Sequence, residues 1–163
     1  MSTHLHGRML SATQCALALL IAAACHGPVH APAPVAPSPL ERLPEQPLDE
    51  PPVTTDNVWA SVTAPENIVH DEAGRPWVRN ALYLGFTEGV PLSRRQHLVD
   101  SVQARVVGGT TLGSTPLYLL VFEHLRPSPS DAALDALFRL ADELRAHRDV
   151  RGVITLELTE PGA

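Results

Sequence analysis

The amino-acid sequence predicts an α+β domain, and three observations carry the prediction. Apolar residues alternate with period two near residues 80–86 and 150–158, which buries one face of a strand. They recur at helical spacing in two other stretches, at Leu98, Val99 and Val102, and at Leu134, Leu137, Phe138, Ala141 and Leu144. Between the helices runs a segment, residues 117–122, that is apolar at every position.

Taken in order, Leu82, Leu84 and Phe86 alternate with Ala81, Tyr83 and Gly85 as the first strand, and Gly89 and Pro91 end it. Ser93 with Gln96 three residues on is a capping-box pattern, so a short amphipathic helix is expected to about Gln103. A second strand follows, closed by Gly108 and Gly109, then a turn over residues 110–116 and the third strand. Ser128 as N-cap, Pro129 at the first helical position and Asp131 near the positive dipole end start a second helix, expected to reach about Asp149. Ile154, Leu156 and Leu158 against Val153, Thr155 and Glu157 make a fourth strand. The order βαββαβ predicts a ferredoxin-like plait over residues 80–163, an antiparallel four-stranded sheet with both helices on one face.

Upstream the composition changes twice. Residues 1–25 hold a weakly basic start and an apolar run of residues 16–24, well short of the roughly 20 residues that cross a bilayer, and read as an export signal. Ala22-Ala23-Ala24-Cys25 resembles a bacterial lipobox, which makes Cys25 the lipidation site and the protein a membrane-anchored lipoprotein of the envelope, or a secreted protein if cleavage follows Ala24 instead. Residues 26–53 are rich in proline and read as an extended, disordered linker. Residues 54–79 form an arm in which Gly74 permits a hairpin turn, and Trp59 and Trp77 pack on the domain.

The chemistry is bounded by what these residues offer. With 163 residues, a formal charge of −6 and no basic run, a nucleic-acid partner is not expected. Both cysteines, Cys15 and Cys25, precede the domain, leaving it no thiol for redox or metal chemistry. His26 and His30 lack companion ligands, and His70 beside Asp71 and Glu72 reads as a solvated turn. An arginine loop for anion binding is missing from residues 85–90, as is a cysteine pair for metal transfer. No catalytic residue, metal or cofactor is expected. The third strand presents Leu117, Leu119 and Val121 on one side and Tyr118, Leu120 and Phe122 on the other, so the triplet away from the helices needs a cover. A partner protein, a second copy in a homodimer, or the arm can supply it.

The words filling this frame are Pro65-Glu-Asn-Ile-Val69, Gly74-Arg-Pro-Trp-Val-Arg-Asn80, Phe86-Thr-Glu-Gly89, Arg105-Val-Val-Gly-Gly109, Leu117-Tyr-Leu119 and Leu144-Arg-Ala-His-Arg-Asp-Val150. In that order and spacing, over about residues 64–158, they resemble the N-terminal propeptides of subtilisin-type serine proteases, particularly the fervidolysin-like prodomains. The resemblance implies a domain that templates the folding of a protease and then inhibits it. It assigns a protease-binding sheet face to Tyr83, Tyr118, Leu120 and Phe122, and a cleft-inserting tail to Leu158, Thr159, Glu160, Pro161, Gly162 and Ala163. No Asp, His and Ser triad in the family's order is present, so action on a subtilisin-like protease in trans is expected rather than catalysis. The family commonly has an acidic or Glu-Pro pair soon after the Asp-Val of the last strand, where this chain has Ile154-Thr155, with Glu157 and Glu160 later. The alternative reading is an envelope-anchored scaffold or binding module that keeps the plait without protease binding.

Overall fold

A computed structural model of the protein describes residues 40–126, 128 and 130–159. The export signal, Cys25 and tail residues 160–163 lie outside the described residues. Among the described residues the chain is α+β, with five strands, β1 (Ile68–His70), β2 (Pro76–Phe86), β3 (Arg105–Leu112), β4 (Thr115–Val121) and β5 (Val150–Glu157). Three α-helices accompany them, α1 (Asp56–Val62), α2 (Leu92–Ser101) and α3 (Ser130–Arg145), with 3₁₀ turns at Pro65–Asn67 and Glu123–Leu125.

All the strand pairings are antiparallel: β1 with β2, β2 with β4, β2 with β5 and β3 with β4. Trp77 pairs with both Val69 of β1 and Glu157 of β5, so those two strands lie on opposite edges of β2. Across the sheet the order is therefore β3, β4 with β1 in line behind it, β2 and β5. The fifth strand is a correction to the four expected. It arises because the arm folds back as a hairpin, turning at Gly74 with φ +78, which gives Ile68–His70 their own partners on β2.

Period-two alternation separates two cores. On one face Leu82, Leu84 and Phe86 of β2, with Tyr118, Leu120 and Phe122, meet Leu98 and Val99 of α2 and Leu137, Ala141 and Leu144 of α3. On the other, Val78, Ala81, Leu119, Val121 and Leu156 meet Val58 and Val62 of α1 and Leu40. The buried stripe of α3 follows the expected spacing, but Phe138 is only half-buried, edge-on to Trp77 at 5.1 Å.

Four expected boundaries move. Ser93 lies inside α2, whose N-cap is Pro91 without a side-chain bond, and Gln96 donates to Asp100 at 2.9 Å instead of closing a capping box. The helix ends at Ser101; Gln103, at φ +53, turns the chain into β3. The last helix stops at Arg145, well short of Asp149, whose carboxylate is held by Arg94 at 2.5 Å at the entrance to β5. Gly108 and Gly109 do not close β3, which runs on to Leu112. They lie instead where residues 52–54 cross: a Cβ on Gly108 would stand 2.9 Å from Thr54 Oγ1 and 3.0 Å from the Val53 carbonyl.

Residues 40–53 of the expected linker are part of the domain. Leu40 and Leu48 are 1% and 2% exposed, one in each core. Proline-rich chain cannot form ladders with its own kind, so it is held by groups on the sheet. Arg105 donates to the carbonyls of Leu40 at 3.2 Å and Leu43 at 2.5 Å and pairs with Glu45 at 3.1 Å. Gln46 N–H donates to Val106 O at 2.8 Å, Tyr118 OH to Leu48 O at 2.9 Å, and Thr54 Oγ1 bonds both the N–H and the carbonyl of Gly109 at 2.9 Å.

Candidate functional site

The surface assigned to a partner divides between the two faces. Tyr118, Leu120 and Phe122 are 4%, 0% and 0% exposed beneath α2 and α3, and are closed to any partner. This corrects their expected role: side chains of paired residues share a face, and these three share theirs with Leu82, Leu84 and Phe86 under the helices. Tyr83 pairs with Leu119 and Ile154 and so belongs to the opposite face. There the arm and α1 act as the cover, over Val78, Ala81, Leu119 and Val121.

The cover is incomplete toward β5. Ile154 is 42% and Trp59 39% exposed, and Tyr83 between them is half-buried. A shallow trough lined by Pro52, Val53, Thr55, Trp59, Tyr83 and Thr111 opens beside them. Thr55 caps α1, accepting from Val58 N–H at 3.4 Å, and so sets where Trp59 projects one turn in. This strip of aromatic and aliphatic surface, edged by threonine hydroxyls and by Asp56, can take a flat apolar partner surface.

The tail starts differently from a free extension. Leu158 is half-buried against the second core and its N–H donates to Pro76 O at 2.8 Å, so the ladder outlasts the strand by one residue. Thr159 is exposed, and Glu160, Pro161, Gly162 and Ala163 lie outside the described residues.

Polar clusters remain elsewhere among the described residues. At the hairpin turn Asp71 accepts from the N–H groups of Ala73 at 3.0 Å and Arg75 at 2.9 Å, from Arg75 Nε at 2.8 Å and from Trp77 Nε1 at 3.2 Å. The backbone N–H of Arg75 leads these in favouring the ionised form, against some desolvation, and the carboxyl is held down to about 2. Asp71 is thus a structural hub of the turn rather than an acid or base, while its neighbour His70 is exposed. The second cluster was not legible in the sequence. Between Trp77 and Leu82, five steps along β2 oppose two along β5, and this irregularity turns Arg79 and Asn80 inward. Arg79 donates to the carbonyl of Ser128, whereas the Asn80 side chain, 0% exposed, has no partner among the described residues. Solvent does not reach it, so no substrate does.

Glu123 lies 3.5 Å from Arg105. Burial first, and then the charge of Glu41, raises its pKa above the ordinary range, with Arg105 and Arg126 pulling the other way. Among the described residues no three His, Cys, Asp or Glu side chains are grouped to hold a metal ion, and no helix is long and apolar enough to cross a membrane. No family model, curated protein or solved structure matches the chain.

Proposed function

We propose that the chain is a propeptide-like binding module that engages a subtilisin-type serine protease in trans, as an inhibitor or folding assistant, and that β2, α2, β3, β4, α3 and β5 form a ferredoxin-like plait. The observation that carries this is the arrangement β3-β4-β2-β5, with two helices on one face and the chain leaving the edge strand β5 directly into its tail. A preordered sheet loses little entropy on docking, and a tail continuing a strand can add backbone hydrogen bonds in a substrate groove. Tyr83 and Ile154 replace Tyr118, Leu120 and Phe122 as the docking residues. Pro161 limits the pairing a tail can make and Gly162 gives little side-chain contact, so inhibition is weaker than that of a dedicated propeptide. The same reading takes the chain to the envelope, anchored through an acylated Cys25.

A second reading is favoured by one observation, the cover that α1, Leu40 and Leu43 lay over much of the free face. It makes the protein an envelope scaffold that has kept the plait without protease binding. Titrating the protein against a panel of subtilisin-type proteases with a chromogenic peptide separates the two. Competitive inhibition that is lost on deleting residues 159–163, and weakened by Tyr83→Ala or Ile154→Ala, supports the first. The absence of inhibition, and of any gain in protease refolding yield, at tens of micromolar protein supports the scaffold.

A further inference from the structure

We infer that the outer edge of β5 pairs with the β5 of a second copy of this chain, joining two sheets about a two-fold axis at Ile154. The argument begins with the two edges of the sheet, which are treated differently. The β3 edge is closed by the chain's own arm, through Gln46 N–H on Val106 O and Thr54 Oγ1 on Gly109. Among the described residues β5 pairs only with β2.

Which backbone groups of β5 face outward follows from two bonds. Leu158 N–H donates to Pro76 of β2, so even-numbered residues face inward, and Val153 O is reached at 3.4 Å by Arg145 Nη2, so odd-numbered ones face out. Val153, Thr155 and Glu157 therefore present N–H and C=O groups away from the sheet. Arg151 stands at a register irregularity, with two steps along β5 opposing one along β2, and beyond it the order changes, since the Asp149 carbonyl accepts from Thr87 N–H. Three residues of edge ladder, on which Arg145 holds one long contact at Val153 O, are a template for another strand.

The side chains select which strand. When β5 meets its own copy antiparallel with Ile154 at the centre, residue 151 lies opposite 157 and 153 opposite 155. Arg151 and Glu157, both exposed, then form an opposite-charge cross-strand pair twice over. The two Ile154 side chains, each 42% exposed in the isolated chain, meet across the axis. Val153 and Thr155 exchange their hydrogen bonds, and Ile154 falls in a non-hydrogen-bonded pair, where side chains are closest. Such an interface is isologous and closes at two copies. A strand from an unrelated protein has no reason to place an acid and a base six residues apart around an apolar centre. Arg145 has only to release one long contact to Val153 O.

The inference does not rest on protease binding, and its test contains no protease. The full chain carrying Cys15→Ser and Cys25→Ser has no thiol, so an introduced cysteine reports alone. Ile154→Cys places two Cα atoms about 4.5 Å apart across the axis, within disulfide range. Gly152→Cys, where an added Cβ meets nothing within 4 Å, places them about 14 Å apart along the strands. In detergent extracts under mild oxidation, Ile154→Cys is expected to give disulfide dimer at least tenfold faster than Gly152→Cys. Adding Arg151→Glu to Ile154→Cys lowers that rate, and adding Glu157→Arg as well restores it. Equal rates at positions 152 and 154, faster coupling at 152, or indifference to the charge changes overturns the proposal.

Discussion

Replacing Leu40 by alanine tests whether the proline-rich stretch is tether or structure. If residues 40–53 were a disordered spacer, the change would remove three carbon atoms from a solvated side chain and leave stability unmoved. Leu40 is instead 1% exposed, packed with Val58, Val62, Leu119 and Val121. Truncating a buried leucine costs about 2–5 kcal/mol, less where the neighbours can collapse into the space. The carbonyl of Leu40 is fixed by Arg105 at 3.2 Å, and Arg105 also holds Leu43 and Glu45, so the backbone is poorly placed to relax. We therefore expect about 2–4 kcal/mol, a large part of the roughly 5–15 kcal/mol that stabilises a typical domain. At a urea slope of about 2 kcal/mol/M the midpoint falls by about 1 M or more. Equilibrium urea unfolding followed by tryptophan fluorescence reads this through Trp59 and Trp77. Val53→Ala, at a side chain 63% exposed, is the control and is expected to leave the midpoint in place. Equal midpoints for Leu40→Ala and Val53→Ala would refute the assignment of residues 40–53 to the core.

Two further outcomes follow from the same contacts. Gly109→Ala drives a Cβ into the Leu117 carbonyl and the Pro52 ring, so it should loosen the arm, seen as new protease cleavage between residues 40 and 55 before the sheet is cut; unchanged limited proteolysis would remove the close-approach argument. Asp71 has its carboxyl lowered from the ordinary 3.8 to about 2. Its ionised form therefore contributes stability that is fully present above the ordinary carboxylate range and is lost as pH falls from about 5 toward 2. Asp71→Asn should lower stability at pH 7 and flatten its decline over that acid window, and parallel pH profiles for the two proteins would contradict the role of the turn.

Docking through Tyr83 and Ile154 and pairing through β5 draw on the same exposed side chain, and this follows from the geometry of an edge strand. Ile154 presents its side chain to the uncovered face of the sheet while the backbone on either side of it, at Val153 and Thr155, presents hydrogen-bonding groups to the edge. A partner on the face and a partner at the edge therefore both bury it.

What the sequence determined by itself is local. Alternation at Leu82, Leu84 and Phe86, helical spacing at Leu134, Leu137, Ala141 and Leu144, and Gly74 at the hairpin turn each report the geometry of a few consecutive residues, so strand, helix and turn were legible without knowing what surrounds them. Only the tertiary structure decided that residues 40–48 help to cover the two faces of the sheet. Leu40 and Leu48 carry no periodicity among their prolines, and their burial depends on Arg105, Val106 and Tyr118, about sixty to seventy residues away. The residues singled out for a partner were misplaced for the same reason. Leu117–Val121 is apolar on both sides, so alternation within β4 could not say which side the helices take. The pairing of Leu82 with Leu120 and of Tyr83 with Leu119 decides it, placing Tyr118, Leu120 and Phe122 inside and leaving Tyr83 and Ile154 at the surface. Asn80 was equally hidden, because an inward turn at a bulge is a property of two strands in register, and a single strand's sequence contains only one of them.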